Sequence, residues 1–454
     1  MKKVLLILLL IPPTFAKGQS WVNVGIAGFS DTIAQYTSIS IDISGTPYVV
    51  YSDGANNGRA TVMKYTGSSW VFVGSAGFST IDVQWTSIAI GNNGTPYVVY
   101  EEAVVPGISA QQATVMQYDG TDWVLVGNER FTGYMAECTS IKIDSSGTPL
   151  VCYFDEGRFN GSATVMKFDG SIWDTVGHPD FSAGYAYDPS MAIDANGTLY
   201  VAYAQSPFDS NYYNAPTTVM KYNGSNWVNV GNTCFSAGST IWNSIALDSS
   251  GTPYVAYVDM AYNNKVTVMK YNGTSWIPVG SPGFSAAGAG NTSLAIDGSG
   301  TLYVVYRDSA NSNKATVMKY DGSNWVTVGT AGFSSGEADY TSIVIDRGGT
   351  PYVVYADLGN GSKVTVMRYG WAEGVKNIEA VNNLDLYPNP ATSSLTITSS
   401  NPINQITITN LLGQTVYSRQ FTVGSSQTVD VSGFAAGVYF VKVNGVEVRK
   451  FVKE

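Results

Sequence analysis

Residues 37–73 read TSISIDISGTPYVVYSDGANNGRATVMKYTGSSWVFV, and this stretch decides the fold. It holds four strand-like segments: TSISID from Thr37, PYVVY from Pro47, TVMKY from Thr61 and WVFVG from Trp70, here termed positions A to D. In B, Tyr48 and Val50 share one face and Val49 and Tyr51 the other, so both faces are apolar and both must be covered. In A, Ile39 and Ile41 lie opposite Ser38 and Ser40, a large-against-small arrangement suited to crowding near an axis. The A-to-B and C-to-D turns are four residues each, with glycine supplying the positive φ of a tight turn.

The unit repeats. Trp21, Trp70, Trp123, Trp173, Trp227, Trp276 and Trp325 recur at intervals of 49, 53, 50, 54, 49 and 49 residues. Four antiparallel strands per unit of about 50 residues, none able to bury its own faces, predict an all-β, seven-bladed β-propeller with four-stranded blades. The third residue of D varies freely and is Pro278 in one copy, which makes D the outer edge strand. All variation in period falls between B and C, with the longest connections after Tyr100 and Tyr203. Strand direction alternates, so the B-to-C and D-to-A loops share one face of the disc, and variable loops on a rigid scaffold are the expected place for binding.

The seventh unit supplies TSIVID from Thr341, PYVVY from Pro351 and TVMRY from Thr365, then runs into GWAEGVKN with no D strand. Trp21 to Gly25 is the one D segment without a unit in front of it. The N-terminal strand is therefore expected to close blade seven, with Trp21, Val22 and Val24 as the closing residues, Trp21 pairing within Thr365 to Tyr369, and a propeller spanning 20–370. Residues 1–19 carry Lys2 and Lys3, an apolar run from Val4 to Ile11 and small residues before the break, the pattern of a cleavable secretory signal. No other run approaches the roughly 18 apolar residues of a spanning helix, so no transmembrane segment is expected.

After Gly370 the repeat stops; 371–383 reads as a linker, and 384–454 alternates as a small antiparallel β-sandwich. LYPNPATSSLTI from Leu386, NLLGQTVYS from Asn410, GFAAGVYFVKV from Gly433 and the basic end VRKFVKE carry more information. Together they resemble the type A C-terminal sorting domain of the type IX (Por) secretion system of Bacteroidetes-type bacteria. The matching positions include Tyr387, Pro388, Asn389, Pro390, Gly413, Gly437, Tyr439 and Lys453. The resemblance implies passage through the periplasm, recognition by the type IX machinery as a partner, and a secreted product, either attached at the outer-membrane surface or extracellular. It says nothing about what the propeller does.

Chemistry is sparse in the repeats. A net charge of -10 opposes binding nucleic acid through a basic surface. Cys138, Cys152 and Cys234 cannot all pair and are expected as free, partly buried thiols. A single histidine, His178, excludes a multi-histidine zinc site. GFSSG at 332–336 matches a nucleophile-elbow pattern, but it is one copy of a recurring D-to-A loop, so Ser334 reads as structural. Asp42, Asp144, Asp194, Asp248, Asp297 and Asp346 end their A strands; such a ring could hold calcium, although each aspartate capping its own turn is the preferred account, and no cofactor is expected.

The residue just before each A strand should overhang the mouth of the central channel: Tyr36, Trp85, Cys138, Asp188, Trp242, Asn291 and Tyr340. Closure places Tyr340, Tyr36 and Trp85 in an arc, with Glu101 and the pair Tyr212 and Tyr213 on nearby long loops. Flat rings there suit sugar faces or protein hot spots; equally, they could pack on Phe29, Phe78 and Phe333. The expected function is thus a surface binding or adhesion module for an unknown glycan or protein, leaning away from catalysis. The alternatives are a carboxylate-based glycoside hydrolase or lyase using Asp188, Glu101 or Glu137, and a purely structural surface protein.

Overall fold

A computed structural model describes residues 18–103, 111–156, 161–206, 215–370, 384–399, 402–411, 413–422, 424–444 and 447–454. Residues 1–17 of the leader, the linker and the pair Tyr212 and Tyr213 lie outside the described residues. The chain divides into two compact units, the repeat region and the C-terminal sheets.

Seven four-stranded antiparallel sheets form the first unit, a β-propeller. Blade one consists of Ala34–Ile41, Pro47–Asp53, Arg59–Tyr65 and Trp70–Phe72, hydrogen-bonded in that order from inside to outside. Blade seven takes Ala338–Ile345, Pro351–Asp357 and Lys363–Gly370 from the end of the repeats and Ser20–Asn23 from the beginning. Trp21 lies opposite Tyr369, Val22 opposite Arg368 and Asn23 opposite Met367, as strand counting predicts.

The cores lie between blades. Tyr48 and Val50 pack with Val83, Val98 and Tyr100 of blade two, whereas Val49 and Tyr51 pack with Val354 and Val366 of blade seven. This is why a B strand must be apolar on both faces. At the rim, each outer tryptophan reaches back to the preceding blade: Trp21 Nε1 donates to Val328 O at 2.7 Å, and Trp70 Nε1 to Val24 O at 2.7 Å. Every outer tryptophan repeats this bond, so the N-terminal strand is clasped from both sides. The glycine after each acceptor valine has no room for a Cβ; one on Gly329 would stand 3.1 Å from Trp21 Cδ1, at φ +72°. One closing residue differs from expectation: Val22 is half-buried, because it lies on the face away from Trp21, while Trp21 and Val24 take the buried positions.

Near the axis, the small serines of A have a hydrogen-bonding role that alternation alone did not reveal. Ser244 Oγ accepts from Leu294 N at 3.0 Å and Ser190 Oγ from Ile245 N at 3.2 Å, which gives inner-strand amides partners in the neighbouring blade.

The C-terminal unit packs a three-stranded sheet (Leu384–Tyr387, Ser394–Ser399, Ser426–Asp430) on a four-stranded one (Gln405–Asn410, Thr415–Gln420, Gly437–Val443, Glu447–Lys453). Leu395 and Ile397 of the first meet Ile406, Ile408, Val441 and Phe451 of the second. Two of these strands escaped the sequence reading. Thr415–Gln420 is an exposed edge without apolar alternation, and Leu384–Tyr387 is cut short by the two prolines after it.

Candidate functional site

The channel mouth is built by a backbone device. The seven residues expected just before the A strands lie inside the longer inner strands observed, as Tyr36 does in Ala34–Ile41, and all adopt left-handed φ, from +46° at Trp85 to +57° at Trp242, although none is glycine. In every blade this residue is the extra one of a β-bulge between A and B, as at the register shift between Gln35 and Ser38. A left-handed non-glycine residue costs on the order of 1–3 kcal/mol and persists where its surroundings over-determine it. The next residue supplies that constraint: Thr37 Oγ1 donates to Tyr340 O at 2.8 Å, Thr139 Oγ1 to Trp85 O at 2.6 Å and Thr292 Oγ1 to Trp242 O at 2.5 Å. Thr86 and Thr341 make the equivalent bonds to Tyr36 O and Asn291 O.

The ring of threonines breaks where Pro189 and Asn243 stand in its place. There Asp188 takes over: its Oδ2 accepts from Trp242 N at 2.8 Å, and Cys138 Sγ lies 3.8 Å from its Oδ1. Asp188, expected as a ligand contact, is thus engaged in holding blades three, four and five together.

The bulges aim the side chains over the opening. Tyr36, Trp85, Trp242 and Tyr340 line a shallow cavity of about 150 Å³, and Tyr36 lies 4.9 Å from Tyr340 and 5.5 Å from Trp85 between ring centroids. The arc therefore forms. The competing packing does not: Phe29 stacks on Trp70 at 4.2 Å, Phe78 on Trp123 at 4.3 Å and Phe333 on Trp21 at 4.2 Å, all at the rim. Burial, with Tyr340 and Glu101 nearby, pushes the Tyr36 hydroxyl up to about 12, so it stays a donor across physiological pH.

Glu101 sits differently from expectation. It is fully buried on the second strand of blade two rather than on an open loop, because B strands run two residues beyond their second tyrosine, and Glu101 holds the place that Ser52 has in blade one. Burial first, and the charge of Glu137 second, hold its carboxyl well above the usual range, against an opposing pull from the Thr139 and Cys138 amides. Glu137 is also raised, by burial and then by Glu156. Cys138 is pushed up by burial, Asp188, Glu101 and Glu137, so it is a protonated thiol rather than a nucleophile.

Two other candidates resolve into structural roles. Ser334 Oγ donates to Gly336 O at 2.6 Å and accepts from Ala315 N at 2.9 Å, which leaves no free nucleophile. The A-strand aspartates cap their turns: Asp248 Oδ1 accepts from Ser250 N at 2.9 Å and Thr252 N at 3.0 Å, and Asp42, Asp144, Asp194, Asp297 and Asp346 use the same turn. In blade two, where Gly91 replaces the aspartate, Asn93 Oδ1 takes the Thr95 amide at 3.0 Å. Among the described residues no cluster of His, Cys, Asp or Glu has the arrangement of a metal site. Sequence reasoning missed a second set of aspartates at the ends of B, where Asp53 Oδ2 accepts from Thr61 Oγ1 and Asn56 Nδ2, both at 2.8 Å. Their signal was a repeated acid four residues after the first valine of the B strand.

In the C-terminal unit the motif residues knit the sandwich edge. Asn389 Oδ1 accepts from Val452 N at 2.9 Å, Tyr439 OH donates to Ala435 O at 2.8 Å, Gly413 turns at φ +77°, and Lys453 is bridged to Ala391. Residues 385–454 match the family model of the secretion system C-terminal sorting domain. The C-terminal unit is a sorting domain. Sorting domains of this type direct export through the type IX system to the cell surface or extracellular space. Among the described residues no helix is long and apolar enough to cross a membrane.

The propeller matches no specific family, and no curated protein matches the chain. Solved structures share its fold at low identity. An ulvan lyase of polysaccharide lyase family PL25 is 14% identical, covers 76% of this chain and 95% of its own, with a TM-score of 0.50. The polysaccharide lyase Uly1 is 9% identical, with coverage of 75% and 90% and a TM-score of 0.51. An α-L-arabinanase of Penicillium chrysogenum is 13% identical, with coverage of 78% and 99% and a TM-score of 0.45. At these identities the likeness is one of fold.

Proposed function

We propose that the propeller is the cargo of the sorting domain and acts outside the cell as a binding or adhesion module, with a glycan or protein ligand on the channel mouth. The observation that carries this is the aromatic arc of Tyr340, Tyr36 and Trp85, held over the opening by left-handed bulges that aim the three rings at one space. A cavity of about 150 Å³ is a platform rather than a pocket, suited to stacking a sugar ring or a protein side chain. Binding of the exported protein to a panel of neutral and acidic glycans and of surface proteins tests this. Trp85→Ala and Tyr36→Ala each weaken binding about 10- to 30-fold, the equivalent of about 1.4–2 kcal/mol. Unchanged affinity in both variants refutes it.

One observation favours a second reading, a carboxylate-based glycoside hydrolase or lyase. Glu101 and Glu137 both have raised carboxyls beneath the mouth, and pairs of acids with shifted affinities for protons serve as general acids and bases. Product release from a bound glycan, lost on Glu137→Gln, would place the protein in that class.

A further inference from the structure

The face opposite the mouth, formed by the A-to-B and C-to-D turns, carries larger openings. Three clefts between neighbouring blades enclose about 500, 440 and 390 Å³, within the roughly 300–1,000 Å³ usual for ligand sites and well above the mouth. Their walls follow from the repeat. The first tyrosine of B and the fourth residue of C are cross-strand partners on each blade, and in five blades that pair is tyrosine with lysine or arginine.

In the largest cleft, between blades four and five, two such pairs face one space: Tyr200 with Lys221 on one wall and Tyr254 with Lys270 on the other. Just outside the lining stands an acid, Asp194 of blade four, whose Oδ1 caps its own turn and whose Oδ2 lies behind Gly251. Among the described residues neither lysine forms an ion pair, whereas Lys167 of blade three reaches Asp144 at 3.1 Å, Leu150 standing where the tyrosine would be. The turn aspartate of blade five is already engaged, accepting from its own turn through Oδ1 and from Tyr254 OH through Oδ2 at 3.3 Å. Gly251, Thr252 and Asn272 complete the lining. The other two described clefts are less cationic, with Gln117 in place of one lysine and Asp119 or Asp169 at the rim. In a chain of net charge -10, two unpaired ammonium groups converging on a tyrosine-walled cleft select an anion attached to a flat, hydroxyl-rich body.

We propose that the cleft between blades four and five binds an anionic sugar residue of an extracellular polysaccharide, a uronate or a sulfate ester, with Lys221 and Lys270 holding the anion and Tyr200 and Tyr254 the ring. The site is separate from the channel mouth and stands or falls independently of it.

The full exported chain is titrated calorimetrically with oligogalacturonate, with a sulfated galactan oligosaccharide and with neutral dextran oligosaccharide. At least one acidic ligand binds, dextran does not, and affinity falls as salt rises. The double substitution Lys221→Gln with Lys270→Gln weakens binding tenfold or more, Lys221→Arg with Lys270→Arg retains it, and Lys64→Gln, in the less cationic cleft, changes it less than threefold. Preference for galacturonate or for the sulfated ligand names the anion. The assignment is overturned if neither acidic ligand binds better than dextran, or if the double glutamine variant, folded by its melting curve, binds like the parent. Trp85→Ala leaves this binding intact, so a failed mouth and a failed cleft give different results.

Discussion

Replacing Trp21 with alanine tests ring closure at its smallest point. The indole is 9% exposed, stacks on Phe333 at 4.2 Å and donates to Val328 O at 2.7 Å, and through these contacts the first strand grips blade six. Truncating a buried tryptophan to alanine costs about 3–5 kcal/mol, part of it from the buried carbonyl left without its donor. That is a large fraction of a typical net stability of about 5–15 kcal/mol. Urea unfolding of the exported protein, followed by fluorescence and by far-ultraviolet circular dichroism, measures the loss. The same substitution at Trp123, which makes the same bond to Val73 O at 2.7 Å within a continuous stretch of repeats, is the matched comparison. Trp21→Ala lowers stability at least as much as Trp123→Ala and far more than Asn23→Ala, an exposed position on the same strand. If Trp21→Ala behaves like Asn23→Ala, the strand is an ornament on a ring that closes without it, and the account of blade seven fails.

Other consequences are open to direct measurement. Gly329→Ala forces a Cβ against Trp21 and Tyr369 at a left-handed φ, and lowers stability by more than Gly67→Ala, which, in an open turn at φ +89°, costs only the backbone strain of about 1–3 kcal/mol. Glu101 binds its proton more tightly folded than unfolded, so its contribution is greatest below its unfolded value of about 4.3 and is lost as pH rises towards its raised folded value; Glu101→Gln flattens the fall in stability over that interval, seen by denaturation at a series of pH values. Cys152 is fully buried and burial pushes its thiol up, so alkylation by iodoacetamide follows global unfolding, and modification of the native protein at this site would contradict the core packing.

Much of the propeller was legible because its signals are redundant. The tryptophan spacing, the two-faced B strands and the missing last D strand each lead to the same closure, and Trp21 pairs with Tyr369 as counted. The bulge before each A strand was not legible: tyrosine, tryptophan, cysteine, aspartate and asparagine all occupy it, so no residue type marks the left-handed turn. The regularity lies in the threonine that follows, whose hydroxyl bonds across blades in a way that local propensity does not encode. At the site, the aromatic arc could be placed from blade order alone. The burial of Glu101 could not, because the apolar run that marks each B strand ends at its second tyrosine, while the strand continues through polar residues such as Ser52 and Glu101. The clefts escaped because they form between units, from residues that look like ordinary strand ends.

The way blade seven is assembled orders events in time. The amide of Val364 bonds the hydroxyl of Ser30 across 334 residues of chain, and Trp21 finds Val328 across 307. Contacts of such separation form late, after intervening loops have been ordered. A chain that emerges amino end first delivers the closing strand long before its partner exists, so the ring waits, open and with one blade edge unpaired, until the final repeat has been delivered. The sorting domain lies beyond that repeat, so the ring closes only with residues delivered just before it in the chain.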